Sequence, residues 1–134
     1  IDLLYEAGLY DKKNYKKLDH EVDIIILSRE SNVIVKSVSE KIKVKCRTSI
    51  VKKKDVLLEE VKVRNLDLKN VLFIGNDLND LECIKIVGVG VAVADSCQQV
   101  IRIADYVTSK NGGNGAFREV CELILYARNV HPFP

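Results

Sequence analysis

Amide and carboxylate side chains follow a short apolar run in the middle of the chain. Residues 71–74 lead into Gly75, and Asn76, Asp77 and Asp80 follow within five positions. An apolar run, a glycine and an apolar-periodic segment predict a buried strand, a sharp turn and the start of a helix. Oxygen ligands at such a strand end suit a hard cation such as Mg²⁺, and open α/β sheets bind ligands at this edge. The segment therefore predicts a metal site at this strand end.

A simpler interpretation of the same segment is that Asn79 or Asp80 only caps the following helix. A single acidic residue at this position would favour the cap. The sequence Gly-Asn-Asp-Leu-Asn-Asp, directly after a four-residue apolar strand, favours the metal site.

A second polar segment, Ser28-Arg29, follows the β-branched run at residues 22–27. Such a run is typical of a strand covered on both faces, as in a parallel sheet. A hydroxyl at its carboxyl end can donate to a phosphate oxygen, and an arginine can add a bidentate contact. The alternative is that Ser28 or Ser31 is an ordinary helix N-cap.

Three lysines, Lys52, Lys53 and Lys54, open a predicted helix that runs to about Arg64. Lysine is unfavourable in the first turn of a helix because it meets the positive end of the dipole. One of these lysines is therefore expected to face a ligand's negative charge, although a solvated charge run explains them equally well.

Strands and helices must alternate to position these groups. The hydrophobic pattern predicts strands at residues 22–27, 44–46, 71–74, 90–94 and 105–108, and helices at residues 33–42, 52–64, 80–87, 96–104 and 116–128. This alternation predicts an α/β fold with helices on both faces of a parallel sheet. The glycine cluster at residues 111–115 is better explained as a connector than as a phosphate-binding loop.

Composition limits the classes of function. The chain has 134 residues, 47% apolar and 30% charged, which indicates one soluble globular domain. Its net charge of +2 gives no argument for nucleic acid or membrane as a partner. No apolar run reaches about 20 residues, and the start lacks the features of a signal peptide. The four cysteines are widely spaced, which favours free thiols in a reducing cytoplasm.

With these segments in place, the sequence resembles the haloacid dehalogenase superfamily. The similar groups are the capless phosphatases of 3-deoxy-manno-octulosonate (KDO) 8-phosphate and the phosphatase-like domains of N-acylneuraminate (sialic acid) cytidylyltransferases. The resemblance implies a capless three-layer α/β/α domain with a Rossmann-like parallel sheet, a phosphorylated sugar acid as substrate, Mg²⁺ as cofactor and a cytoplasmic homotetramer. Its carriers are Ile25-Ile26-Leu27-Ser28-Arg29-Glu30-Ser31-Asn32, the segment from Gly75 to Cys83, Val87-Gly88 with Val91-Ala92-Val93-Ala94-Asp95, Ala104-Asp105-Tyr106-Val107-Thr108 and Gly112-Gly113-Asn114-Gly115-Ala116-Phe117-Arg118-Glu119.

The resemblance also assigns roles by matching motif to motif. Ser28 stands at the family's phosphate-binding Ser/Thr position, with Arg29 beside it. Lys53 matches the lysine that neutralises phosphoryl charge, with Lys52 and Lys54 as alternatives. The metal positions fall on Asn76, Asp77 and Asp80.

Departures from the family pattern affect the expected activity. The sequence contains no Asp-x-Asp-Gly-x-x-(Thr/Ser) motif, which carries the family's nucleophile on the middle strand of the sheet. Asn76 replaces the commoner aspartate, Lys52 stands where the family usually has aspartate, and the segment 1–21 is atypical. We expect the middle strand to precede Ile1 or to be replaced by residues 1–5, and the chain as written to be unable to form an aspartyl-phosphate.

Two functions follow from the resemblance. The first is a Mg²⁺-dependent phosphatase of a 3-deoxy-octulosonate or nonulosonate phosphate monoester. The second is a non-catalytic domain that serves oligomerisation or regulation of a CMP-sialic acid synthetase.

Overall fold

A computed structural model of the chain describes residues 24–29, 40 and 44–127. These residues form two compact units. The first contains the described residues up to Ile50 together with those from Phe117 onward, and the second is Val51–Ala116.

Strands and helices alternate along the described chain, as predicted. In chain order they are β1 Ile25–Leu27, β2 Lys45–Arg47, α1 Lys53–Val63, a 3₁₀ turn Leu68–Asn70, β3 Leu72–Gly75, a 3₁₀ turn Leu78–Asp80, α2 Leu81–Ile86, β4 Val89–Ala92, α3 Gln98–Ile103, β5 Tyr106–Val107 and α4 Ala116–Ala127. The predicted elements that fall on described residues are confirmed, with ends that differ by a few positions.

The second unit contains a three-stranded parallel sheet in the order β3-β4-β5. The register pairs Leu72 with Val89 and Gly75 with Ala92, so β3 and β4 end at the same edge. Helix α2 connects β3 to β4, and α3 connects β4 to β5. Parallel strands need such crossovers, and they bring the loops that follow each strand to one side.

An apolar core fixes this sheet against its helices. Ile84 of α2, Ala92 of β4 and Val100 of α3 are almost completely buried and form one cluster. The partly buried side chains of Phe73 and Leu81 pack against that cluster. Because β3, β4 and their helices share this core, the loop after β3 has a rigid base.

The first unit contains the parallel pair β1 and β2, with Ile25 opposite Lys45 and Leu27 opposite Arg47. The part of α4 in this unit buries Val120, Cys121 and Leu125. The step of four positions from Cys121 to Leu125 keeps these side chains on one face, as in an amphipathic helix.

Several expectations lie outside the described residues. They are the segment 1–21, the start of the first predicted strand at residues 22–23, and most of the predicted helix at 33–42. Within the described ranges, none of the helices combines the length and the apolar character needed to cross a membrane.

Candidate functional site

The loop after β3 forms a capped turn built from its own polar residues. Asp77 is the N-cap of the 3₁₀ turn, and its Oδ1 accepts a hydrogen bond from Leu78 N at 2.7 Å. Asp80 completes a capping box, because its Oδ2 accepts from the backbone N–H of Asp77 at 3.2 Å. The same oxygen accepts from Asn76 N at 2.9 Å. These bonds satisfy N–H groups that a strand-to-helix junction otherwise leaves without partners.

Lys53, in the first turn of α1, forms an ion pair with Asp80. The distance from Lys53 Nζ to Asp80 Oδ1 is 2.8 Å. The side chains are 13% and 2% exposed, respectively. Asp80 compensates for the unfavourable meeting of the ammonium group with the helix dipole. Of the three candidate lysines, the structure places Lys53 beside the predicted metal residues, whereas Lys52 is exposed.

Gly75 makes room for the Asp80 side chain. A Cβ at Gly75 would lie 2.4 Å from Asp80 Cβ and 2.8 Å from Asp80 Oδ2. Real Cβ atoms do not approach other atoms this closely, so any larger residue here requires Asp80 or the turn to move. The glycine at the end of β3 is therefore explained by packing.

The loop after β4 supports the turn from the neighbouring strand. Cys97 N donates to Asn76 O at 3.1 Å, and Val93 N donates to Gly75 O at 3.3 Å. The Ser96 hydroxyl donates to Gly75 O at 3.4 Å. The backbone of Asn76 is thus held in place while its side chain remains exposed.

The glycine-containing segment 111–115 is tied to this loop after β4. Gly112 N donates to Asp95 Oδ1 at 2.8 Å. Ala94 N donates to the Thr108 hydroxyl at 3.1 Å, and that hydroxyl donates to Lys110 O at 2.6 Å. Thr108 is only 3% exposed. The segment links β5 to α4, and the hydrogen bond from Gly112 to Asp95 holds it. No local sequence pattern predicts this bond, because the two residues are 17 positions apart.

A buried thiol lies behind the turn. Burial raises the pKa of Cys83 to about 11, and the negative charge of Asp80 acts in the same direction. The Cys83 side chain is fully buried in α2. With this raised pKa the thiol is neutral at ordinary pH. Because the thiolate is the reactive form of cysteine, Cys83 is an unreactive packing group.

The donor atoms of the turn fit a hard divalent cation. Asn76 and Asp77 are exposed and offer an amide oxygen and a carboxylate. Mg²⁺ in proteins often uses one or two carboxylates and keeps several waters. The Asn79 Oδ1 atom, in the same turn, is buried and accepts no hydrogen bond from the described residues. In that same part of the chain, no three His, Cys, Asp or Glu side chains cluster closely enough to hold a metal by themselves.

The structure brings together four of the predicted site residues within the second unit, namely Lys53, Asn76, Asp77 and Asp80. Ser28 and Arg29 belong to the first unit, directly after β1. Ser28 is held there by its backbone, which donates to Arg47 O at 2.9 Å and accepts from Ile50 N at 3.1 Å. The Arg29 side chain is exposed.

Comparison with known proteins gives consistent matches. The family of haloacid dehalogenase-like hydrolases matches residues 9–120. The KDO 8-phosphate phosphatase KdsC of Escherichia coli K12 is 50% identical over 60 residues, which are 45% of this chain and 32% of that protein. The corresponding enzyme of Yersinia pestis is 48% identical over 61 residues. The chain therefore spans about a third of the length of these curated relatives.

Solved structures extend the match over most of the chain. The KDO 8-phosphate phosphatase of Moraxella catarrhalis, crystallised with magnesium, phosphate and KDO, has a TM-score of 0.81 at 32% identity and covers 86% of this chain and 67% of that one. The cobalt-bound phosphatase of Haemophilus influenzae has a TM-score of 0.80 at 27% identity, with 86% and 68% coverage. These structures confirm the predicted fold class, a three-layer α/β/α arrangement with a Rossmann-like parallel sheet.

Proposed function

Since the chain belongs to the family of haloacid dehalogenase-like hydrolases, we propose that it provides the metal-binding and charge-neutralising part of a phosphomonoesterase site. The observation that carries this proposal is the position of Lys53 Nζ, which lies 2.8 Å from Asp80 Oδ1. Asp80 belongs to the same turn as the exposed Asn76 and Asp77. A cation beside exposed oxygen ligands is the arrangement that phosphoryl transfer requires.

Each predicted residue has a role in this proposal. Lys53 neutralises charge on the phosphoryl oxygens. A phosphate-binding role for Ser28 and Arg29, which lie in the first unit, stays a prediction from the resemblance. Asn76, Asp77 and Asp80 make up the metal-binding turn. Mg²⁺, when bound there, supplies charge neutralisation at the transferring phosphoryl group. We assign these residues binding and orienting roles and no covalent step, since the sequence has no counterpart of the family's Asp-x-Asp motif.

The proposed substrate is KDO 8-phosphate. The relatives with 48–50% identity over the matching segment are phosphatases of this sugar-acid phosphate, and a solved relative was crystallised with magnesium, phosphate and KDO. The alternative of a non-catalytic domain in a CMP-sialic acid synthetase finds no support among these relatives.

Binding of KDO 8-phosphate in the presence of Mg²⁺ tests the proposal. Calorimetry should show Mg²⁺-dependent binding, and Lys53→Met should weaken it by roughly 10–100-fold because a charged contact to phosphate is lost. Lys62→Met, the same exchange at an exposed position near the end of α1, is the matched control. Equal binding by both variants, or binding without any need for a divalent cation, contradicts the proposal.

The inability of the chain to form an aspartyl-phosphate is tested separately. Incubation with KDO 8-phosphate and Mg²⁺ should release no phosphate above background. Turnover that disappears in Asp80→Ala would show that a nucleophile is present after all.

A homo-oligomer, with a tetramer implied by the resemblance, remains part of the proposal. Exposed apolar side chains of the second unit, including Val63, Leu66 and Leu78, are the type of surface that subunit contacts cover. Sedimentation equilibrium should give a mass above that of one chain, and a monomer at all concentrations contradicts it.

A further inference from the structure

Helix α1 has two opposite faces. Leu57 and Glu60 are buried on one face. Asp55, Leu58 and Lys62 lie on the other face, at spacings of three and four positions, and all three are exposed. These three residues form the α1 stripe. Its central side chain is apolar and 39% exposed, and it lies between a carboxylate and an ammonium group.

An open groove of about 570 Å³ runs beside the α1 stripe. Its lining comes from the last turns of α1 and from the segment that follows the helix, and the apolar lining residues are Leu58, Val61, Leu66 and Leu68. Leu66 is 43% exposed. Exposed apolar surfaces of this kind mark sites of protein contact, and a groove along a helix suits the side chains of a second helix.

The charges of the α1 stripe are complementary to those of a second copy of the same stripe. Asp55 precedes Leu58 by three positions, and Lys62 follows it by four. When two such helices pack antiparallel at Leu58, Asp55 of each copy lies opposite Lys62 of the other. A two-fold contact of this kind contains two ion pairs around an apolar centre, whereas a parallel arrangement sets like charges together.

The lysines at the start of α1 fit the same arrangement. Lys52 is the exposed N-cap residue of the helix and makes no side-chain cap. Its charge meets the positive end of its own helix dipole, which is unfavourable. In an antiparallel pair the start of each helix lies beside the end of the other, where the last carbonyl groups stabilise cations. A second copy therefore offers Lys52 a better electrostatic environment.

From these features we infer that α1 is a self-complementary docking surface through which two copies of this chain bind each other antiparallel. Leu58 of each copy packs into the groove of the other. This contact is an interface of the homo-oligomer proposed above, and it rests on that part of the proposed function. A helix pair is small beside the roughly 800 Å² per partner of a standard interface, so dimerisation is expected to depend on concentration.

Charge reversal across the contact tests its geometry, with sedimentation equilibrium over a series of concentrations as the measurement. Asp55→Lys alone, or Lys62→Asp alone, creates two like-charge pairs and should weaken dimerisation by roughly 10–100-fold. In an equimolar mixture of the two variants both pairs are attractive again, so a heterodimer should form with nearly the original affinity. Glu82→Lys and Lys85→Asp, at exposed positions of α2, should dimerise as the unaltered chain does.

Recovery in the mixture alone would show that both variants are folded and that Asp55 faces Lys62 across the contact. A mixture that binds no more tightly than its components overturns the two-fold arrangement. Leu58→Glu places a charge at the apolar centre and should leave a monomer. A lower free energy of unfolding in this variant with an unchanged mass means that another part of the same chain covers the groove, and it overturns the inference.

The outcomes also separate this contact from the proposed function. An oligomer whose mass is the same in Leu58→Glu uses another surface, which overturns the α1 contact and leaves the homo-oligomer standing. A chain that is monomeric at every concentration overturns both. Calorimetry with KDO 8-phosphate and Mg²⁺ on the same samples tests the phosphate-binding part independently, because Lys53 contacts Asp80 and is not part of the α1 stripe.

Discussion

At the residue scale, Asn76 carries an amide, whereas Asp77 and Asp80 of the same turn carry carboxylates. The turn therefore presents to solvent one carboxylate, that of Asp77, since Asp80 is buried and paired with Lys53. Affinity for hard cations rises with the charge of the ligands. The identity of residue 76 is expected to set how tightly the turn binds Mg²⁺.

Asn76→Asp should increase the affinity for Mg²⁺ by roughly tenfold, because a second exposed carboxylate adds Coulomb attraction at a solvated site. Titration calorimetry measures the change. Asn70→Asp adds the same charge at an exposed position before β3, at the opposite end of that strand, and should have little effect. Equal gains in both variants would indicate a non-specific effect of net charge.

Gly75→Ala should lower the free energy of unfolding by about 1–3 kcal/mol, since the new methyl group overlaps the Asp80 side chain. Urea denaturation gives the value. Gly112→Ala is the matched control, because its Cβ would make ordinary contacts at 3.4 and 3.5 Å with Val93 and Asp95. If Gly75→Ala is as stable as the control, Asp80 has another position available.

At the element scale, the sequence predicted the alternation of strands and helices because each element has its own hydrophobic period. The strand β3, the turn after it and the helix α1 were all expected. The 3₁₀ turn Leu78–Asp80 was not, because it depends on the capping box between Asp77 and Asp80. The ion pair of Lys53 with Asp80 joins residues 27 positions apart, and periodicity carries no information on such contacts.

The cap interpretation named Asn79 or Asp80 for the following helix, and Asp80 is the N-cap residue of α2, although its carboxylate bonds within the capping box of the preceding 3₁₀ turn. Asp77 caps the 3₁₀ turn through its side chain, whereas Asp80 makes no side-chain cap to α2. A capping box and an exposed carboxylate coexist here, since Asp77 remains exposed although its side chain accepts from Leu78 N and from the backbone N–H of Asp80. The metal-ligand roles themselves remain predictions.

The connection between β5 and α4 depends on Thr108. Thr108→Val keeps the shape but removes the hydroxyl that accepts from Ala94 N and donates to Lys110 O. Because Thr108 is buried, we expect a loss of about 1–2 kcal/mol in the free energy of unfolding. Thr48→Val, at a half-buried position after β2, serves as control in the same denaturation series. Equal effects would mean that the Thr108 hydroxyl adds no specific stability.

At the scale of the whole molecule, two buried thiols make stability depend on pH in the alkaline range. Burial raises the pKa of Cys83 from 9.0 to about 11 and that of Cys121 from 9.0 to about 12. A raised pKa in the folded state means that the unfolded chain loses its protons first as pH rises. The stabilisation is therefore complete below pH 9 and is lost as pH rises through 11 and 12.

Unfolding free energies measured in reductant at pH 8 and pH 10.5 test this expectation. The difference between the two values should shrink in Cys83→Ala and in Cys121→Ala, by up to about 1.4 kcal/mol per pH unit for each thiol. Cys46→Ala, at a half-buried thiol, is the control. An unchanged difference in both buried-site variants would show that these thiols ionise equally in the two states.

The pairing of Lys53 with Asp80 has a consequence for the approach of a substrate. The charges of this pair largely cancel at a distance, and Asp77 is the exposed carboxylate of the turn after β3. The paired Lys53 therefore gives a phosphate dianion little long-range attraction, although clefts of opposite charge can speed association strongly. Attraction begins only when a divalent cation reverses the local sign. Salt screens the attraction between opposite charges. Added salt should therefore slow the association of substrate with this turn when the divalent cation is bound. Without the cation, added salt should not slow it.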